Sequence, residues 1–177
     1  MILSIAFAIT IPLLFLFAVW TLEIYNISRK RLLALAFVWG MVSFGLAYGI
    51  QALVLGSGLL RYQQVTAFSA PLVEELLKSA FLILMMRRMI LAYAPEGTAY
   101  GFAVGTGFAI IENLFYLSAQ PNAAFIDTIT RILSANLMHA FTSGLVGTVV
   151  GVHFYHSRRR RVFHSTVIVV IVIGVHG

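Results

Sequence analysis

The stretch that decides the fold runs from Phe68 to Met86, FSAPLVEELLKSAFLILMM, and carries Glu74, Glu75 and Lys78 within an apolar run. A run of this length predicts a helix that spans a lipid bilayer. Each ionisable side chain at hydrocarbon depth costs about 2.5–3.5 kcal/mol on insertion scales, so such residues are rare in transmembrane helices and usually functional. Glu74, Glu75 and Lys78 are therefore the first candidate functional residues.

The composition of the whole chain supports the same interpretation. Of its 177 residues, 60% are hydrophobic and 10% are charged, which predicts an all-α, polytopic membrane protein rather than a soluble domain. The formal net charge of +6 comes from short basic clusters between apolar runs, a pattern that reflects membrane topology and predicts no nucleic-acid partner. The chain has no cysteine, which excludes disulfides, thiolate ligands and a cysteine nucleophile.

Six hydrophobic segments predict a bundle of six transmembrane helices in one domain, residues 1–177. The predicted spans are 2–22, 32–55, 66–86, 98–118, 128–154 and 162–177. The first, third and fifth links hold nine Lys and Arg residues, whereas the second holds only Arg61 and the fourth holds none. By the positive-inside rule, the N-terminus is expected outside the membrane. The sixth segment stops at Gly177, too short to cross the bilayer, which predicts a truncated C-terminus.

The two adjacent glutamates on the third span are expected to differ in role. Glu74 and Lys78 have the i,i+4 spacing, with the glutamate on the N-terminal side, that favours a helical ion pair. Glu75 lies about 100° around the helix from Glu74 and is expected to face elsewhere. This pattern predicts that Glu74 holds Lys78, whereas Glu75 performs chemistry. The alternative is a buried ion pair that only fixes the position of the helix.

Two further spans carry polar groups at hydrocarbon depth. On the fourth span, glycines that permit close helix packing precede Glu112 and Asn113. On the fifth, His139 shares a helical face with Asn136. Arg131 lies near the outer end of that span, where it can snorkel, and a structural role is expected for it. The alternative for each polar group is an interhelical hydrogen bond that only stabilises packing.

The estimated depths of these groups agree. At about 1.5 Å of rise per residue, Glu74 and Glu75 lie roughly 12–14 Å from the outer face of the hydrocarbon, Glu112 roughly 9–10 Å and His139 roughly 15–18 Å. His176, on the sixth span, is expected roughly 8–10 Å from the same face. Carboxylates and imidazoles from four helices thus share one layer, which predicts a single buried site that contains water.

In these motifs the chain resembles the PrsW-type intramembrane proteases, relatives of the CAAX-processing (ABI) endopeptidases and, more distantly, of the gamma-secretase scaffold subunit. Their Glu-Glu-x-x-Lys motif matches residues 74–78, and their glycine-rich approach to Phe-x-x-x-Glu-Asn matches residues 101–113. A histidine on the next span matches His139, and a histidine followed by glycine matches His176. The chain ends before the Asp or Asn that usually completes this fourth motif. The resemblance covers residues 65–177, the protease core.

The resemblance implies hydrolysis of a peptide bond in a membrane protein of a prokaryotic plasma membrane. The substrate would be a membrane-anchored regulatory protein, such as an anti-sigma factor, or a prenylated or peptide substrate. In a zinc version, which this set of ligand types favours, Glu112, His139 and His176 bind Zn²⁺ and leave the fourth position to water. Glu75 is then the general base, tuned by its neighbours on the third span, Glu74 and Lys78.

A metal-free version uses the same residues. Glu74 or Glu75 activates water directly, Glu112 assists, and the histidines bind the oxyanion.

Two other classes of protein could use the same buried residues. A proton- or ion-coupled transporter would also place Glu, Lys and His within the membrane, although the chain shows no inverted repeat of the kind typical of transporters. A non-enzymatic scaffold could keep the polar cluster for assembly or substrate capture. A water-filled cavity at Glu75 would favour hydrolysis, whereas a dry, fully paired cluster would favour the scaffold.

Overall fold

The computed structural model describes residues 2–22, 29–88 and 93–152. The regular secondary structure of this part of the chain is all helical, with no β-strand, which confirms the predicted all-α class. The elements are α1 (Ile2–Leu22), α2 (Lys30–Gly56), α3 (Tyr62–Gln64), a π-helical turn (Val65–Ser69), α4 (Ala70–Arg87), α5 (Ala94–Ala119) and α6 (Phe125–Val152).

Five of these helices have 18 residues or more, and their ends fall within four residues of the first five predicted spans. Helices α2, α5 and α6 are long and apolar enough to cross a bilayer, so the protein is an integral membrane protein. The apolar stretch of α1, Leu3–Val19, is shorter. The prediction of six spans is not confirmed, because three helices meet this criterion and residues 162–177 lie outside the described ranges.

Helix α5 lies at the centre of the bundle, in backbone contact with α6 on one side and α2 on the other. A Cβ atom added to Gly101 or Gly105 would lie 2.1 Å from a carbonyl oxygen of α6, that of Ser143 or of His139. One added to Gly107 would lie 2.1 Å from the carbonyl oxygen of Phe37 on α2. The expected close packing of the glycines is thus confirmed, and it fixes His139 relative to α5.

The π-helical turn widens the helical path that leads into α4. The amide of Ala70 bonds the carbonyl of Val65, five residues back, instead of the usual four. Pro71 follows directly, and a proline inside a regular helix has no amide proton to donate and clashes with the carbonyl four residues earlier. The wide turn accommodates this proline, and it places Val65 and Thr66 on the wall of a cavity.

Polar contacts also join the N-terminal end of α2 to the N-terminal part of α5. The backbone amide of Arg29 donates to the hydroxyl of Tyr100 at 2.9 Å, and that hydroxyl donates to Glu96 at 3.0 Å. Apolar side chains that include Leu82, Val104 and Val150 form the core on this side. The core fixes the helices from which the candidate site is built.

Candidate active site

Glu75 and Lys78 form an ion pair in the closed interior of the bundle. The Nζ atom of Lys78 lies 2.5 Å from Oε1 of Glu75, and each side chain is 1% exposed. The sequence prediction gave this contact with Lys78 to Glu74, and the structure gives it to Glu75. The rotation of α4 explains the difference, because it turns Glu75 and Lys78 together into the bundle and leaves Glu74 at its edge.

Lys78 connects this ion pair to α6. Its Nζ atom lies 3.1 Å from Nδ1 of His139 and 4.6 Å from the centroid of the Phe108 ring. The Phe108 and His139 rings are themselves in contact, with centroids 4.8 Å apart. The imidazole, which is fully buried, is therefore held by a cation at one nitrogen and by an aromatic ring at its side.

The other nitrogen of His139 meets a carboxylate of α5. Nε2 of His139 lies 2.6 Å from Oε2 of Glu112. An ammonium group only donates hydrogen bonds, so with Lys78 protonated Nδ1 accepts and Nε2 carries the proton that it donates to Glu112. The contacts define one neutral tautomer of His139 and join Glu75, Lys78, His139 and Glu112 across three helices.

Arg131 ends this chain of contacts. Its Nη2 atom donates to Oε1 of Glu112 and its Nη1 atom donates to Oδ1 of Asn113, both at 3.2 Å. The guanidinium carbon lies 4.0 Å from the centroid of the Tyr116 ring. The side chains of Glu112 and Arg131 are 24% and 30% exposed, so the chain begins in the closed interior and ends at an accessible surface.

That surface is the wall of a cavity of about 570 Å³. Phe44 and Leu55 both line it and are eleven residues apart on α2, which corresponds to about 16 Å along the helix axis. Glu74 also lines the cavity, and its Oε1 atom accepts a hydrogen bond from Nε2 of Gln51 at 3.2 Å. The other lining residues include Tyr48, Tyr62, Val65, Thr66, Glu112, Phe115, Tyr116 and Arg131.

The structure thus brings the described candidate residues to one place. A chain of direct contacts runs from Glu75 through Lys78 and His139 to Glu112. Glu74 shares the cavity wall with Glu112. The remaining candidate ligand, His176, lies outside the described residues.

Asn136, which shares a helical face with His139, is fully buried. Its side-chain amide forms no hydrogen bond within the described part of the chain.

The sequence did not predict that Arg131 and Gln51 lie on the cavity wall. Arg131 was expected to snorkel to the membrane surface, but it points into the cavity and bonds Glu112. The signal that could have found it is an arginine at the outer end of an apolar span, facing a carboxylate of similar depth on the neighbouring span. Gln51 was not singled out, and a glutamine within the apolar run that ends α2 was the available signal.

The sequence profile of the PrsW family, described as intramembrane metalloproteases, matches residues 28–177. The chain belongs to this family. The family implies an intramembrane protease, and the matched region contains the whole chain of contacts from Glu75 to Arg131. Searches of the curated proteins and of the solved structures found no significant match.

The description of the PrsW family implies a metal ion, but the described residues do not by themselves form a metal site. Within them, no three His, Asp or Glu side chains are close enough to hold a metal ion. Two ligands of one tetrahedral zinc are about 3.3 Å apart, whereas Glu112 and His139 are hydrogen-bonded at 2.6 Å. A metal-bound histidine also usually donates its second N–H to an acceptor, whereas the second nitrogen of His139 faces the ammonium group of Lys78.

Proposed function

We propose that this PrsW-family protein hydrolyses a peptide bond of a membrane-associated protein with water that is activated by a glutamate in the cavity. The observation that supports this proposal is that Glu74 and Glu112 line one cavity, while Glu112 is connected through His139 and Lys78 to the buried Glu75. Two carboxylates on the wall of one cavity are a minimal set for general acid–base hydrolysis.

Glu74 suits the role of general base better than Glu75. Glu75 is fully buried against Lys78 and does not line the cavity, so neither water nor a substrate reaches it from there. Glu74 lies on the cavity wall, where its Oε1 atom accepts a hydrogen bond from the neutral amide of Gln51. By the criterion stated for Glu75, its burial against Lys78 outside the cavity taken alone favours a scaffold, so the proposal rests on Glu74 and exchanges the roles expected from the sequence.

The reaction balances with these groups alone. The Glu74 carboxylate takes one proton from water, and the resulting hydroxide attacks the carbonyl carbon of the scissile bond. When the C–N bond breaks, the leaving amine takes the proton from Glu74, so the enzyme returns to its initial state. Glu112 assists by orienting the water, because its orientation is fixed by His139 and Arg131. Lys78 and Glu75 hold His139 in the tautomer that donates to Glu112.

A zinc-assisted reaction is the second candidate, and the family description favours it. Glu112 and His139 supply one oxygen and one nitrogen donor that converge near the cavity, and His176 would be the third ligand. The two donors would have to separate, and Lys78 would have to leave the ammonium form or move, before His139 could bind a metal ion. A bound zinc ion would supply a polarised water to the reaction.

The membrane orientation follows from the charges of the links. With the basic residues around Lys30 and Arg87 on the cytoplasmic side of a prokaryotic plasma membrane, the N-terminus lies outside. The cavity then lies in the outer half of the membrane and extends toward the ends of α2 and α5 at Leu55 and Ala119. A membrane-anchored protein, such as an anti-sigma factor, fits this orientation. We also propose that the chain is related to the CAAX-processing endopeptidases, which agrees with a metal-free reaction.

Cleavage of a single-span reporter in proteoliposomes tests the proposal. The reporter carries a fluorescent group on each side of its outer juxtamembrane segment, and a panel of segments samples different sequences. We expect Glu74→Gln to abolish cleavage without loss of the folded protein. Glu96→Gln is the matched control, because Glu96 is a buried carboxylate at the other end of the bundle. Wild-type turnover by Glu74→Gln would contradict the proposal, and cleavage by neither protein would favour a scaffold or a transporter.

A further inference from the structure

Arg131 is the cationic residue of the cavity. Among the described residues that line the cavity, those charged at neutral pH are Glu74, Glu112 and Arg131, so Arg131 alone carries positive charge. Its side chain is 30% exposed, in contrast to the 1% of Lys78. Of the two cations that belong to the polar site, Arg131 is therefore the one that a substrate can touch.

The orientation of the guanidinium group is fixed from three directions. Glu112 and Asn113 each accept one hydrogen bond at 3.2 Å, and the ring of Tyr116 lies under the guanidinium plane at 4.0 Å. A guanidinium group has more N–H donors than these two bonds use. Fixed donors stabilise developing charge at little cost of reorganisation.

An ion pair that only neutralised Glu112 would not need these features. Glu112 already accepts a hydrogen bond from His139, and a buried pair without access to the cavity would serve the same purpose. Arg131 instead combines contact with Glu112, support from an aromatic ring and exposure to the cavity. This combination suits a group that meets a substrate atom next to the position of the activated water.

We propose that Arg131 is a catalytic residue that binds the carbonyl oxygen of the scissile peptide bond and stabilises the oxyanion. This inference rests on the proposed hydrolysis. As hydroxide derived from water bonds to the carbonyl carbon, the π electrons of the C=O bond move to its oxygen, where Arg131 donates a hydrogen bond. When the carbonyl re-forms, the C–N bond breaks and the amine takes the proton held by Glu74. The charge of Arg131 does not change.

Kinetics of Arg131 variants in the reporter assay test this assignment. We expect Arg131→Ala to lower kcat by about 10²–10³-fold, the loss typical of a removed oxyanion donor, with a much smaller change in KM. Arg131→Lys keeps the charge but loses the planar group, and kcat per folded protein should fall by about 10-fold or more. The control is Arg88→Ala, an exposed arginine outside the cavity, which should keep the wild-type kcat.

Two readouts separate this role from a structural one. A phosphinic peptide, which imitates the tetrahedral oxyanion, should lose affinity for Arg131→Ala by a larger factor than the reporter itself does. Low millimolar guanidinium should restore part of the kcat of Arg131→Ala and leave that of Arg88→Ala unchanged.

The possible failures are distinguishable. If wild-type protein cleaves the reporter and Glu74→Gln does not, but Arg131→Lys and Arg131→Ala keep the wild-type kcat, the assignment of Arg131 is overturned and the proposed hydrolysis stands. It is equally overturned if Arg131→Ala loses turnover only in proportion to its folded fraction. If wild-type protein cleaves no reporter, both proposals are overturned.

Discussion

Glu74 and Glu75 are adjacent in sequence, yet their carboxylates lie in separate environments. The carboxylate of Glu75 contacts Lys78 at 2.5 Å in the closed interior, whereas that of Glu74 lies on the cavity wall and accepts a hydrogen bond from Gln51. Successive helical residues point about 100° apart. One short motif therefore supplies both an internal ion pair and a carboxylate on the cavity wall, and the two should respond differently to the same substitution.

Glu75→Gln should destabilise the protein by about 3–5 kcal/mol, because it leaves the buried ammonium of Lys78 without its charged partner. Glu74→Gln, at the cavity wall, should change the free energy of unfolding by less than about 0.5 kcal/mol while abolishing turnover. Chemical unfolding in detergent measures the first effect, and the reporter assay measures the second.

The double variant Glu75→Leu with Lys78→Met is the control for the ion pair. Replacing both partners by apolar residues of similar volume should recover most of the stability that Glu75→Gln loses. If Glu75→Gln were as stable as the wild type, the contact between Glu75 and Lys78 would not be the internal ion pair described above.

Gly105→Ala should reduce both stability and turnover. The added Cβ atom would lie 2.1 Å from the carbonyl oxygen of His139, so α6 must move away from α5. Overpacking of this kind costs about 1–3 kcal/mol, and the shift would lengthen the contact between His139 and Glu112. Thermal unfolding and kcat measured on the same preparation check both effects.

Gly45→Ala is the matched control. Nothing lies within 4 Å of a Cβ atom added at Gly45 on α2, so this variant should keep the wild-type turnover and stability. Equal behaviour of the two alanine variants would show that the glycine contact does not position His139.

The helices and most residues of the candidate site could be predicted from simple features of the sequence. Apolar runs separated by polar links predict helices, and the described helices lie where those runs are. The cost of a charge in hydrocarbon singled out Glu74, Glu75, Lys78 and Glu112. These signals come from neighbouring residues or from the depth of a residue in the membrane, so they can be used without knowing how the helices pack.

The partners of those residues could not be predicted in the same way. Whether Lys78 contacts Glu74 or Glu75 depends on the rotation of α4, which packing against α2, α5 and α6 decides. The position of Arg131 depends on the lateral arrangement of α5 and α6, because depth alone also permitted a snorkelling side chain. The cavity depends further on the wide turn before Pro71, a distortion that its sequence permits but does not specify.

Removal of metal ions should leave turnover unchanged if the described residues perform the reaction. The structural reason is that Nδ1 of His139 faces Lys78 and Nε2 bonds Glu112, so neither nitrogen is disposed toward a metal ion. The protein is treated with a chelator, its zinc content is measured by mass spectrometry, and the reporter assay is repeated. Loss of turnover that zinc restores would instead support the zinc version and make His176 the first residue to substitute.

Ala52→Trp should block the cavity while its charged residues stay unsubstituted. Ala52 is on α2, one residue after Gln51, and lines the cavity, so an indole there would fill part of the space that a substrate needs. We expect kcat/KM to fall by at least about 10-fold, which corresponds to about 1.4 kcal/mol of lost transition-state binding, while the free energy of unfolding changes little. Ala34→Trp is the control, because Ala34 is an exposed residue of the same helix and does not line the cavity. If Ala52→Trp and Ala34→Trp cleave the reporter equally well, the substrate does not occupy this cavity.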